Sequence, residues 1–245
     1  MIYFMGVNVE KRNNSDRWPM IKKVELLGIE IDNYTVREAM LKVETYLDDM
    51  NMNTIEAISM EMLVRAQEDE TLKTCIEGLD LAIINEKEIL FAAGVSSPQR
   101  VRETVEQQFF KEFMKRIIRN HKTVYLFAAT SQKLEELEEF LKEDYDKLQI
   151  IGKYAMEDCV GDFDGVVNEM NIASPDVIFS VLPMPEQEYF LVENKDKINA
   201  GIWYGLGSNY AQKQGVKYLT SLAKRLVHKG MLKRMVSKYN PEKRG

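Results

Sequence analysis

The sequence predicts an α/β fold built on a doubly wound, mainly parallel sheet, and three observations carry that expectation. Apolar runs of strand length recur along the chain, at 54–59 (TIEAIS), 79–84 (LDLAII), 123–129 (TVYLFAA), 177–182 (VIFSVL) and 200–206 (AGIWYGL). They are continuous rather than alternating, as in strands covered on both faces. Stretches with apolar residues at helical spacing separate them through short connections, the alternation that gives right-handed crossovers and a Rossmann-like sheet. No internal repeat or low-complexity segment interrupts the pattern.

Taken in order, residues 1–21 read as a loosely ordered lead-in. Residues 24–32 alternate around Gly28, as a strand or hairpin would. The segment Asp32-Asn33-Tyr34-Thr35 offers helix caps, and Val36, Ala39, Met40, Val43 and Leu47 follow on one helical face. Helices are expected at 62–72 and 88–93, then a break at 94–98 and one long amphipathic helix over 104–119. Thr130-Ser131 cap a helix at 132–143, and a strand at 148–152 and a helix at 163–173 follow. Pro183 and Pro185 force a turn after the 177–182 strand, because neither can continue a central strand. A helix at 186–195, the strand at 200–206 and a turn at Gly207-Ser208 complete the domain.

Composition narrows the function classes. No apolar run approaches the roughly 18 residues of a membrane span, and the order of regions at the N-terminus is not that of a signal peptide, so a cytoplasmic protein is expected. Cys75 and Cys159 lack metal-ligand spacing and read as reduced structural thiols. His121 and His228 both lie among basic residues, which gives little support to a His-based metal site or a Ser-His-Asp triad. From Lys217 onward nine Lys or Arg residues face one acidic residue, a surplus of +8 that leaves about −14 on the rest of a chain whose total is −6. A basic tail on an acidic body suggests an anionic partner for the tail.

In a parallel sheet the informative residues lie just past the strand ends. None of those turns forms a P-loop or a GxGxxG fingerprint. Ala128-Ala129-Thr130-Ser131 is the best anion cradle, small residues opening a helix, and equally an ordinary capped turn. Glu86 and Glu88 stand where a general base could work, and also where a solvated first helical turn favours acids. Gln187 and Glu188 could hydrogen-bond a sugar or a uracil, or could cap the helix they open.

Several segments resemble the WecG/TagA/CpsF glycosyltransferases of bacterial cell-surface polysaccharide synthesis. Leu27-Gly28-Ile29 with Ile31-Asp32-Asn33 and Thr35 is similar to the family's opening strand, Asp-Asn and Thr. Residues 175–188, from Pro-Asp to Pro185-Glu186-Gln187-Glu188, resemble its Pro-Asp strand ending in Pro-Lys-Gln-Glu. Ile150-Ile151-Gly152, Gly205-Leu206-Gly207 and Arg100-Val101 fall where the family has an Ile-Val-Gly, a Gly-rich turn and an Arg-Val. The chain departs from the pattern at Ala57-Ile58-Ser59 (family Thr-x-Asn), Asn85-Glu86 (Asp-Gly), Ala128-Ala129 (Gly-Gly), Glu186 (Lys) and Lys217-Tyr218 (Glu-Trp).

The resemblance implies inverting transfer of an N-acetylhexosamine, N-acetylmannosamine or a related sugar, from a UDP-sugar donor to a polyprenyl-diphosphate-linked acceptor. It implies no bound metal or cofactor and a place at the inner face of the cell membrane. Nucleic acid is not an expected partner, and a homo-oligomer is allowed. Glu86 and Asn85 are the candidate catalytic residues, Asn85 standing where the family carries its proposed base Asp. Ser59, Arg100, Thr130, Gln187, Glu188, Gly207 and Arg225 are the candidate substrate-binding residues. The domains expected are the lead-in (1–21), the α/β glycosyltransferase-like domain (22–215) and a basic amphipathic C-terminal helical appendage (216–245). That appendage reads either as interfacial, drawn to anionic lipid, or as a terminal helix packed on the domain. The resemblance favours the membrane. Because Asn cannot accept a proton at neutral pH, the alternative is a catalytically degenerate member that binds nucleotide-sugar or lipid and acts as a partner or regulator.

Overall fold

The computed structural model describes residues 22–49 and 51–207; the expected lead-in and appendage, and with them Arg225, lie outside the described residues. The chain opens with a hairpin of β1 (Lys23–Leu26) and β2 (Ile29–Asp32), antiparallel and separate from the main sheet. Leu27 and Gly28 turn it with φ of 56° and 72°, the positive values that let a two-residue turn follow the strand twist. Helix α1 (Val36–Leu47) starts at the expected cap: the Thr35 hydroxyl accepts from the Glu38 N–H while the Glu38 carboxylate accepts from the Thr35 N–H.

Then come β3 (Asn53–Ile58), α2 (Met60–Arg65), α3 (Glu70–Glu77), β4 (Leu81–Ile84), α4 (Lys87–Ala92), α5 (Pro98–Val105) and α6 (Gln108–Arg119). The second half adds β5 (Thr123–Ala128), α7 (Ser131–Asp144), β6 (Gln149–Ala155), α8 (Asp164–Ala173), β7 (Val177–Val181), α9 (Glu186–Asn194) and β8 (Ile202–Gly205). The six strands from β3 to β8 form one sheet in the order β4-β3-β8-β7-β5-β6, and every pairing is parallel. The doubly wound architecture is therefore as expected.

Three expected boundaries differ, each for a local reason. The single helix at 62–72 is two helices, because the Asp69 side chain accepts from the Leu72 N–H and begins a new one. The long helix at 104–119 is likewise two: Gln107 takes a left-handed conformation, φ 51°, between α5 and α6. The strand at 148–152 runs on to Ala155, since β5 pairs with it through Ala128.

Side chains alternate across the sheet and are covered on both faces. Val124, Leu126, Val177, Phe179, Ile202 and Tyr204 pack under α1, α6 and α7. Tyr125, Phe127, Ile178 and Trp203 point the other way, against α8 and α9. The hairpin joins α2, α3 and α4 in a third cluster beyond β4. At the amino edge two aspartates fix register in the same manner. Asp80 Oδ2 accepts from the N–H and hydroxyl of Thr54 at 2.8 and 2.9 Å, and Asp176 Oδ2 accepts from those of Thr123 at 2.8 and 2.9 Å. The Pro-Asp before β7 thus ties one strand start to its neighbour.

Candidate active site

The cleft lies at the carboxyl ends of β3, β4 and β8, the position where open α/β sheets bind ligands. It opens on the face of α1, α5 and α6 and encloses about 630 Å³, counting the part open to solvent. The strand ends and the residues just past them form the wall: Ala57 of β3, Ile83 and Ile84 of β4 with Asn85 after it, and Tyr204 of β8 with Leu206 after it. Asp32 and Tyr34 enter from the turn between hairpin and α1, and Arg100, Glu103 and Thr104 from α5.

Arg100, Glu103 and Asp32 are buried polar groups of this wall, each held by at least one hydrogen bond. Arg100 is 7% exposed; its Nε donates to Asn33 Oδ1 at 3.1 Å and its Nη1 to Glu103 Oε2 at 2.8 Å. Glu103 is filled on both oxygens, since Oε2 also accepts from the Val36 N–H and Oε1 accepts from the Gln99 amide. Asp32, 8% exposed, uses Oδ2 to accept from the Ala82 N–H at 3.0 Å. That N–H lies on the outer edge of β4, beyond which the described residues place no strand, so the carboxylate closes an otherwise open ladder edge. Burial raises the Asp32 pKa above the usual carboxylate value, against the lowering effects of the Ala82 bond and the charges of Lys23 and Lys42.

The structure brings Asn85 and Arg100 into this one cleft, with Gly207 alongside, next to Ala57. It puts the other candidates elsewhere. The Glu86 carboxylate accepts from the Met60 N–H at 3.4 Å, at the start of α2, and Glu86 is not in the cleft wall. Ser59 and Thr130 cap α2 and α7 through bonds to the N–H groups of Met62 and Lys133. Gln187 and Glu188 begin α9 on the opposite face of the sheet and are 2% and 1% exposed.

There they meet a residue that sequence reasoning missed. Glu56, in the middle of β3 and 2% exposed, accepts from the Gln187 amide. Its Oε2 and the Oε2 of Glu188 have no other hydrogen-bond partner among the described residues. Burial raises the pKa of both acids, and for Glu56 the Glu188 charge raises it further, well above the ordinary value. A proton held between the two acids would supply the donor that both oxygens lack. The Cys75 thiol lies over the Glu188 carbonyl, and burial with the two carboxylates pushes its pKa up to about 12. An acid inside the apolar run TIEAIS was the available signal for Glu56. For Glu103 it was a carboxylate one helical turn beyond Arg100.

Among the described residues, no helix is long and apolar enough to cross a membrane. Among relatives of known activity, the N-acetylglucosaminyldiphosphoundecaprenol N-acetyl-beta-D-mannosaminyltransferases of Staphylococcus aureus strains NCTC 8325 and COL are each 22% identical to this chain over 219 residues, covering 86% of it and 81% of the relative. That of strain MRSA252 matches to the same extent. The model of the glycosyl transferase WecG/TagA/CpsF family matches residues 24–217, from the hairpin through the last strand, and the chain belongs to that family.

Proposed function

We propose that this protein transfers an N-acetylhexosamine of the N-acetylmannosamine type from a UDP-sugar to a sugar carried on a polyprenyl diphosphate, inverting the anomeric centre. The observation that carries the reading is the cleft at the carboxyl ends of β3, β4 and β8, in a chain whose family match spans that whole wall. The activity for which the staphylococcal relatives are named supports the acceptor class and the sugar. In such a step the acceptor hydroxyl attacks the anomeric carbon from the side opposite the diphosphate. The C–O bond to the diphosphate breaks with its electron pair, and a base takes the hydroxyl proton.

Among the described residues Arg100 is the cation of the cleft wall. Its Nη2 has no protein partner among the described residues and is free to meet a phosphate oxygen. Asp32 and Glu103 outnumber it, so two further negative charges on a diphosphate need cations from outside this wall. Arg225 and the other basic residues of 216–245 are the source we propose, docked at the inner membrane face.

A second reading has one observation in its favour. Asn85 occupies the cleft where the family carries its proposed base, and an amide there suits a member that binds ligands without turnover. A radiolabelled transfer assay with several UDP-sugars and a short-chain lipid diphosphate acceptor separates the two. Label moving into the lipid product is expected. UDP binding without any transfer would leave the binding role as the function.

A further inference from the structure

We propose that Asp32 is the carboxylate that accepts the proton of the acceptor hydroxyl, in place of the Asp that the family carries where this chain has Asn85. The inference rests on the transferase reading above. A base must stand in the cleft, carry a free lone pair and be held in place. Four titratable residues other than Arg100 stand near enough to compare. Glu103 stands in the wall, but both its oxygens are occupied, by Arg100, the Val36 N–H and Gln99. Tyr34 and Tyr204 are phenols rather than carboxylates, and burial raises the pKa of Tyr204 above the ordinary phenol value. Glu86 turns its carboxylate to the start of α2.

Asp32 meets the requirements. Its Oδ2 is fixed by the Ala82 N–H, which orients the group. Its Oδ1 has no hydrogen-bond donor among the described residues and is not sealed from solvent. Asp32 and Asn85 line the same cleft, so the acid stands in the wall that also holds the family's base position. Burial makes this carboxylate a stronger base than an exposed one, a change in the direction that proton abstraction requires. The charged and titratable groups around it are Lys23 from β1, Lys42, Tyr34 and Tyr46 at or on α1, and Arg100 and Glu103 from α5.

The proton balance closes. The hydroxyl proton passes to Asp32 Oδ1 as the oxygen bonds to the anomeric carbon, the UDP leaves with the electron pair of the broken bond, and the neutral acid returns its proton to water.

The test uses the full chain with a UDP-sugar and a short-chain lipid diphosphate acceptor. Asp32→Asn keeps an oxygen for the Ala82 N–H, so the fold has its anchor. The expected result is a fall in kcat of about 10²–10⁴-fold, the usual worth of a general base, with UDP affinity and KM little changed. The acid limb of the pH–rate profile should vanish in the variant. Lys42→Met is the second arm, and it does not depend on that variant folding. The Lys42 charge lowers the Asp32 pKa, so removing it should move the wild-type acid limb to higher pH. An Asp32→Asn enzyme that keeps its rate and its acid limb, or a profile that Lys42→Met leaves in place, overturns the proposal. So does loss of transfer in Glu86→Gln with Asp32→Asn still active. Absence of transfer by the wild-type chain overturns the transferase reading as well, whereas transfer that survives in Asp32→Asn removes only this one.

Discussion

Glu56→Gln should make the protein less sensitive to rising pH. Glu56 is buried in the middle of β3, bonded to the Gln187 amide and facing Glu188, and both acids have raised pKa values. The folded state therefore holds a proton that the unfolded chain releases above roughly pH 4.3. Stability from this source is complete below that pH and is lost as pH rises toward the folded pKa. The slope for one retained proton is about 1.4 kcal/mol per pH unit, so the loss from pH 5 to 7 reaches at most about 2.7 kcal/mol. For a domain of this size that corresponds to roughly 5–10 °C in Tm. Gln keeps the shape of Glu56, accepts from Gln187 and donates to Glu188, so the two proteins should unfold at similar temperatures near pH 5. The variant should then be progressively more stable as pH rises. Thermal unfolding followed by circular dichroism at constant ionic strength, from pH 5 to 8, measures the difference, in which unaltered groups cancel. Parallel curves, or a wild type that gains on the variant with pH, would refute the buried proton.

Two further outcomes follow from the same interior. Gly205→Ala places a Cβ against the Gln187 amide and should cost about 1–3 kcal/mol in thermal unfolding; an unshifted Tm would mean that Gln187 is free to move. Native-state alkylation near pH 8 should modify Cys159 well before Cys75, whose thiol stays protonated because its pKa is pushed up to about 12. Peptide mapping that finds both labelled at equal rates would contradict that environment.

The fold was legible because it follows from period and punctuation. Continuous apolar runs marked β3, β4, β5, β7 and β8, and the Thr35 cap and the prolines after β7 marked where elements start and stop. The breaks at 66–69 and at Gln107 were not, since apolar spacing is nearly continuous across them and tertiary packing decides where the helices bend. The cleft was legible in its location, at strand ends, and in Asn85 and Arg100. It was not legible in Asp32. Asp32 acts across a hairpin edge onto Ala82, fifty residues away in sequence. No local pattern reports such a pairing.

The motif at Gln187-Glu188 also acquires a physical account within this chain. Gln187 holds Glu56 of β3, and the absence of a side chain at Gly205 of β8 is what admits the Gln187 amide. β3 and β8 are neighbours in the sheet, with Glu56 paired to Gly205 in register. The residues that follow these two, Ala57 and Leu206, turn to the other face and form the cleft wall. Three separated fragments of sequence are thus one interior unit lying directly behind the cleft. Sheets transmit such constraints because adjacent residues on a strand share a backbone while pointing to opposite faces. The ladder sets the spacing of β3 and β8 and the buried cluster fills the face behind it, so a change at Gln187 or Gly205 acts on the two strands that carry Ala57 and Leu206 into the cleft wall.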